Sequence, residues 1–361
     1  MKVKKLWQVT LTFVLVTLVL SGCTPQKQAA QTEPKTQPGT IHFVQTNAAN
    51  MLTQLKTGEI DAFVAWEPVN AQAVTEGTGR YLVQSGTLAP NHPCSILAVA
   101  GTEGDEDLAL ALTWGNVQAV NFINNKDNQE KLIKYAMDFS GRDRKAVVEG
   151  LAHTKYVSFP DLQQFEAFYR GLRQNGSLIK DSKTLGYQDD HAFFQDFLNS
   201  KYIDRVNAEL KEDPSWIPPA VNSNRQVILG YVNQDMHQIQ GYIAAQEGYY
   251  SKVGLVPGRN LQLKGYANGV AVMEAFKVKE LTASYLGGAP AVLRRLNDGI
   301  AIRAIGGSNN EGSAIVVGKN SPIQSVSDLA DKTVAIPGLG TVQGYILDLA
   351  ARQNNLRLQA K

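Results

Sequence analysis

Residues 41–69, IHFVQTNAANMLTQLKTGEIDAFVAWEPV, decide the reading, because residues 261–292, LQLKGYANGVAVMEAFKVKELTASYLGGAPAV, repeat them. Each runs as a short strand, a small polar loop, a helix of about ten residues, a Glu followed by an aliphatic residue, and a second strand. A Pro-containing loop then opens another helix. Setting Glu59 against Glu280 pairs Ile60 with Leu281, Ala62 with Ala283, Leu55 with Phe276 and Lys56 with Lys277. The second strands, Ile60–Ala65 and Leu281–Leu286, are apolar without strict alternation, the pattern of parallel strands covered on both faces. Helices between them imply right-handed βαβ crossovers. A repeat spacing of roughly 220 residues is far too long for a solenoid. The expected fold is α/β with two related lobes, each a mainly parallel sheet flanked by helices.

Working outward, Val227–Val232 reads as a strand leading into a helix near His237–Tyr250. Ile302–Ile305, Ala314–Val317 and Thr333–Ile336 read as further strands. The last is followed by Pro337-Gly338-Leu339-Gly340 and a helix from Thr341 to about Gln353. Residues 105–200 are mainly helical, with Ser140-x-x-Asp143 and Ser158-x-x-Asp161 as expected capping boxes. Pro214, Pro218 and Pro219 mark Lys211–Asn224 as a linker. The chain is expected to stop just after its last helix, and the strand Ile41–Gln45 has no helix before it. The two loose ends would fit each other.

The 361 residues carry 35 Lys+Arg against 33 Asp+Glu, 43% hydrophobic residues and two Cys. That balance excludes a nucleic-acid sponge, and two cysteines exclude a disulfide framework or a multi-Cys metal site. Lys2, Lys4 and Lys5 precede the apolar run Leu6–Leu20, which is shorter than the ~17–25 residues of a spanning helix. The run ends in Leu20-Ser21-Gly22-Cys23 and reads as a secretory signal over 1–22. Losing it would remove three lysines and turn the formal charge of +2 slightly negative. Residues 23–39, rich in Gln, Pro, Thr and Lys, cannot repay their ordering entropy and read as a flexible tether. Cys94 is expected to be a small buried hydrophobe.

Residues 226–358 resemble the N-terminal part of binding proteins of the nitrate/sulfonate/taurine ABC-importer family. The resemblance runs through VILGYVNQDMHQ, IAAQEGYYSKVGL, KGYANGVAVMEAF, LGGAPAVLRRLNDG, GGSNNEGSAIVV and SVSDLADKTVAIPGLGTVQGYILDLA. Residues 40–200 resemble its C-terminal part through MLTQLKTGEIDAFVAWEP, GTGRYLVQSG, NHPCSILAV, KYAMDFSGRD and LGYQDDHAFFQDF. The end of the leader is similar to a lipobox, which implies acylation at Cys23 and, with more than one acyl chain, a stable anchor. The family implies a two-lobed periplasmic-binding-protein fold of type II, a small solute, importer permease partners, no cofactor and a monomer. It implies a location outside the cytoplasmic membrane, on the periplasmic side or the outer surface.

Relative to the family the two parts stand in reversed order. A circular permutation, with Lys211–Asn224 joining the usual ends and new ends opened between Leu358 and Thr40, accounts for this; an artificial or misassembled gene order is the other reading. One lobe would then hold 40–94 and 332–361, the larger lobe 95–210 and 225–331, with 211–224 between.

A ligand is expected in the cleft, where strand C-terminal ends and helix N-termini converge. Gly340, Thr341 and Val342 open one helix and Gly287, Gly288 and Ala289 another, each presenting unpaired N–H groups to a small anion. Ordinary glycine turns are the competing account. Asn233, Asp235 and His237 follow the Val227–Val232 strand, and Asn309, Glu311 and Ser313 lie in a Gly-flanked loop. Trp66 either stacks on ligand or fills core, and Glu67 would accept from a ligand N–H or latch the lobes. The absence of Lys and Arg from these loops disfavours a strongly charged dianion. The solute expected is small and anionic or zwitterionic, such as a sulfonate, taurine or nitrate. A pyrimidine or thiamin-precursor binding protein, a related-fold enzyme and a sensory lipoprotein are the alternatives. A nicotinamide oxidoreductase is weaker, because Pro337 interrupts the strand-to-turn geometry of the glycine fingerprint. The five His are widely spaced, and no nucleophile–base pair is legible.

Overall fold

Twelve strands, eight of them expected from the sequence, assemble into two six-stranded sheets in a computed structural model that describes residues 38–101, 105–222 and 224–361. The proposed signal, Cys23 and nearly all of the tether lie outside the described residues. In chain order the strands are β1 (Gly39–Gln45), β2 (Ala62–Trp66), β3 (Gly79–Gln84), β4 (Pro93–Ala100), β5 (Thr154–Tyr156) and β6 (Val227–Val232). They continue as β7 (Leu261–Tyr266), β8 (Ala283–Gly287), β9 (Ile302–Glu311), β10 (Ser313–Gly318), β11 (Thr333–Ile336) and β12 (Leu356–Ala360). The first sheet runs β12-β1-β11-β2-β10-β3 and the second β5-β9-β4-β8-β6-β7.

In the first sheet only β10 runs against the other strands; in the second, β4 and the short β5 do so. This is the two-lobed, mainly parallel α/β architecture expected. β2 is buried along its whole length, packed by helices Ala48–Thr57, Val69–Thr75 and Val342–Gln353. That double cover is why its five residues carry no polar alternation. Among the described residues no helix is long and apolar enough to cross a membrane.

The repeat is visible in the local chemistry. Asn47 caps helix Ala48–Thr57 by accepting from the Asn50 N–H at 2.9 Å, and Asn268 caps helix Gly269–Lys277 by accepting from Ala271 N–H at 3.0 Å. A cap oxygen of this kind satisfies one orphan donor of the first turn.

The structure corrects several expectations. The chain does not stop after its last helix: β12 follows and pairs in parallel with β1, Leu358 opposite Ile41. The two loose ends therefore meet through an edge strand whose exposed face is polar. Asp143 and Asp161, not Ser140 and Ser158, are the capping residues, accepting from Ala146 and Gln164 N–H. Ser140 instead ends the preceding helix and donates to the Ala136 carbonyl. The helix expected near His237–Tyr250 is instead a turn at Met236–Gln238 followed by helices Gln240–Gln246 and Tyr249–Lys252, the last two separated by Gly248 in a left-handed conformation. β10, assigned from sequence to the larger lobe within 225–331, lies in the sheet of β1.

The chain passes between the sheets twice, over residues 85–92 and at Gly312. Gly312 has φ +80°, and a Cβ there would collide with the His237 ring. Only glycine fits this crossing without strain.

Candidate ligand-binding site

A cavity of about 30 Å³ lies between the two sheets. Trp66, at the end of β2, and Pro337, Thr341, Val342 and Gln343, after β11, line it from the first sheet. From the second come Cys94 and Ser95 at the start of β4, with Val232, Asp235 and Gln238 after β6. Asn268, Gly269, Gly287 and Pro290 complete the wall at the starts of two helices. One water needs roughly 10–15 Å³ by such a measure, so a solute of several heavy atoms requires the two sheets to part.

Three helices of nine or more residues begin at this wall: Gly269–Lys277, Gly288–Asn297 and Val342–Gln353. The Thr341 hydroxyl caps the last by accepting from the Gly344 N–H at 3.1 Å while donating to the Gly338 carbonyl at 2.6 Å. Gly287 offers the middle helix no side-chain cap. First-turn N–H groups have no intrahelical acceptor, and together with the helix dipoles they favour an acceptor or a negative group. Trp66 is 7% exposed and its indole Nε1 has no hydrogen-bond partner among the described residues. An orphaned buried donor of this kind costs about 1–3 kcal/mol unless a ligand or water accepts from it. Trp66 thus both fills core and lines the cavity, joining two roles that sequence reading held apart.

No Lys or Arg lines the cavity. The one charged-type group in its wall is Asp235, whose carboxylate accepts from the His237 backbone N–H at 3.0 Å and from Gln238 Nε2 at 2.9 Å. Burial outweighs these bonds and pushes its pKa up to about 8. His237 is wholly buried, and burial, helped by nearby His92, pulls it down to about 3. The Cys94 sulfur lies 3.4 Å from His237 Nδ1, a pairing invisible in the sequence. Burial raises the thiol and lowers the imidazole, so both are neutral near pH 7. An activated thiolate needs the reverse.

Of the residues singled out from sequence, Trp66, Asp235, Gly287, Thr341 and Val342 line the cavity. Gly288 and Ala289 are buried, and a Cβ on Gly288 would press on the Phe165 ring rather than reach the cavity. Gly340 sits beside Leu293 just outside, and Asn233 is exposed to solvent. His237 lies behind Asp235. The others serve the crossings between sheets. Asn309 accepts from Ser95 N–H at 3.2 Å and donates to the Glu311 carbonyl, tying β9 to β4. The Glu311 carboxylate takes the Asn91 N–H at 2.7 Å and Lys155 Nζ at 2.8 Å, binding one crossing to the other. Ser313 Oγ accepts from Gln343 Nε2 at 3.0 Å and so positions a cavity residue.

Glu67 is completely buried, accepting from the Ala71 N–H at 2.9 Å and the Tyr81 hydroxyl at 3.2 Å. It packs beside Gly150 of helix Arg144–Ala152. Burial raises its pKa to about 8. Its place is the contact between the two halves, beside the cavity.

Cys94, Ser95, Val232, Gln238, Asn268, Gly269, Pro290, Pro337 and Gln343 were missed. The repeat could have flagged Asn268, which stands after a strand and before a helix. Cys94 and Ser95 open a strand running opposite to its neighbours, so their position carried no local signal.

A family model described as NMT1-like matches residues 33–137. Another, described as the periplasmic substrate-binding protein of a phosphonate ABC transporter, matches residues 252–358. No curated protein matches the chain. Among solved structures, NikA from Brucella suis in complex with Fe(III)-EDTA is similar over 75% of this chain at 13% identity and a TM-score of 0.30. The match spans about half of that protein, 55% of its chain, and the overlay adds nothing to the fold described above. The two family matches, one in each half of the sequence, support a substrate-binding protein of an ABC transporter.

Proposed function

We propose that the protein is the extracytoplasmic solute-binding component of an ABC importer, held to the membrane through acylated Cys23. It closes over a small anionic or zwitterionic solute, with a sulfonate, taurine or nitrate as the candidates. The observation that carries this reading is the cavity itself, built between two sheets from helix N-termini of both halves around the unpartnered Trp66 N–H. Such a wall gives an oxyanion several N–H donors without a fixed cation. The crossings at residues 85–92 and Gly312 are the hinges, and solute contacts from both halves supply the closing free energy. No chemical step is part of this function.

The reversed order of the two halves is read as a circular permutation. Its support is topological: β1, β11, β2, β10 and β3 pair as β7, β6, β8, β4 and β9 do. A rejoined chain, with residues 225–361 placed before 40–212, is expected to melt within a few degrees of the parent; failure to fold cooperatively would remove the permutation.

Calorimetry of the mature protein against taurine, ethanesulfonate, nitrate and inorganic phosphate tests the transport reading. Saturable one-to-one binding of at least one supports it. No heat with any of them, and no shift in melting temperature, would overturn this choice of solutes.

A further inference from the structure

We infer that Asp235 is the charge-selecting residue of the cavity, favouring a zwitterion whose ammonium group meets its carboxylate over an anion of the same shape. The inference rests on the solute-binding reading above and adds to it which residue decides between solutes.

Asp235 is 6% exposed and lines the cavity together with Trp66. Its two oxygens accept one hydrogen bond each from the protein, from the His237 N–H and from Gln238 Nε2. A carboxylate has about four acceptor sites, so capacity remains on the cavity side. Among the described residues nothing around it supplies positive charge. His237 on its own turn is held neutral by burial, as is His92 beyond it. Cys94 on β4, Tyr156 on β5 and Glu67 after β2 add no cation. A buried carboxyl without a cation is costly to ionise, and a solute ammonium would remove that cost.

On the other side of the same wall, Trp66 Nε1 and the first-turn N–H groups want an acceptor. Donors and an acidic oxygen in one small cavity match a solute carrying an oxyanion at one end and an ammonium at the other. A dianion gains from the donors but brings no cation to offset the cost of ionising the Asp235 carboxyl, so it forgoes the ion pair that a zwitterion makes.

Asp235 also caps the turn Met236–Gln238, and Asn caps as well as Asp. Asp235→Asn therefore removes the group that can ionise against a solute ammonium while keeping the turn. Calorimetry at pH 7 compares taurine with ethanesulfonate, which differ by the amino group alone. The parent protein is expected to bind taurine at least tenfold more tightly. In Asp235→Asn that preference should fall to about twofold or less, chiefly by loss of taurine affinity, with the melting temperature little changed. Equal affinities in the parent, or a preference that survives the substitution, would overturn the role of Asp235 while leaving the solute-binding reading intact. Absence of binding by both compounds would remove this inference together with that choice of solutes.

Discussion

The two sheets of this molecule share one pairing plan and differ in how the chain visits it. In the second sheet the parallel strands are taken in sequence, β6, β7, β8 and then β9, with β4 arriving from the other half to run against them. In the first sheet the place of β6 is held by β11, near the end of the sequence, while β1, β2 and β3 come first. The same hydrogen-bonded order is thus reached by two different paths of the chain. β12 and β5 stand outside the plan, β5 lying beyond β9 where β3 has no such neighbour. β12 extends the first sheet beyond β1, and β7 has no such neighbour on the corresponding edge.

The largest effect belongs to a position where the two halves are joined. Gly312→Ala would place a Cβ on a residue of positive φ and against the His237 ring. A loss of about 3 kcal/mol or more, read by denaturant unfolding, is expected from strain and overpacking together. A loss below about 1 kcal/mol would show that the crossing can relax.

The next contrast sets Glu67 against Gly288, which holds the equivalent place in the repeat. One half buries a carboxyl where the other has no side chain. Burial holds Glu67 and Asp235 at folded pKa values near 8, well above the ordinary carboxylate range. The folded state therefore holds more protons than the unfolded one, and stability falls as pH rises from the unfolded values toward 8. His237 and His92, lowered to about 3 and 4, weigh against folding only as pH falls below about 6.5. From pH 6.5 to 8 these two histidines no longer contribute, and each of the two carboxyls contributes a fall of about 2 kcal/mol across that interval. Chemical denaturation at several pH values should find Glu67→Gln flatter than the parent. Equal slopes would place Glu67 in a solvated environment.

A smaller and more discriminating contrast uses the matched caps. Asn47→Ala and Asn268→Ala should each cost about 1 kcal/mol of stability. Only Asn268 lines the cavity, so only its loss should also weaken solute binding, by severalfold. Equal binding by both variants would take the start of helix Gly269–Lys277 out of the site.

Much of this plan was legible because short parallel strands buried on both faces announce themselves as apolar runs. β6 and β11 coincide with their sequence-based bounds, and helix Val342–Gln353 begins after the expected Thr341. β12 escaped because LRLQA is five residues on an exposed edge, with Leu356 its one buried side chain. The sheet to which β10 belongs is a long-range fact that no local pattern encodes. At the site, residues following strands were found where the strand points at the cavity, as with Trp66, Asp235 and Thr341. Glu311, Asn309 and Ser313 looked similar in sequence, yet they brace the crossings, a distinction set by tertiary position alone.

The central claim is that the two halves close on a solute between them. Spin labels at Lys56→Cys and Lys277→Cys, exposed and equivalent in the two halves, report this distance directly by pulsed dipolar spectroscopy. Closure predicts a broad or longer distance distribution without solute that narrows and shifts when a binding solute saturates the protein. A distribution that is the same with and without bound solute would contradict it.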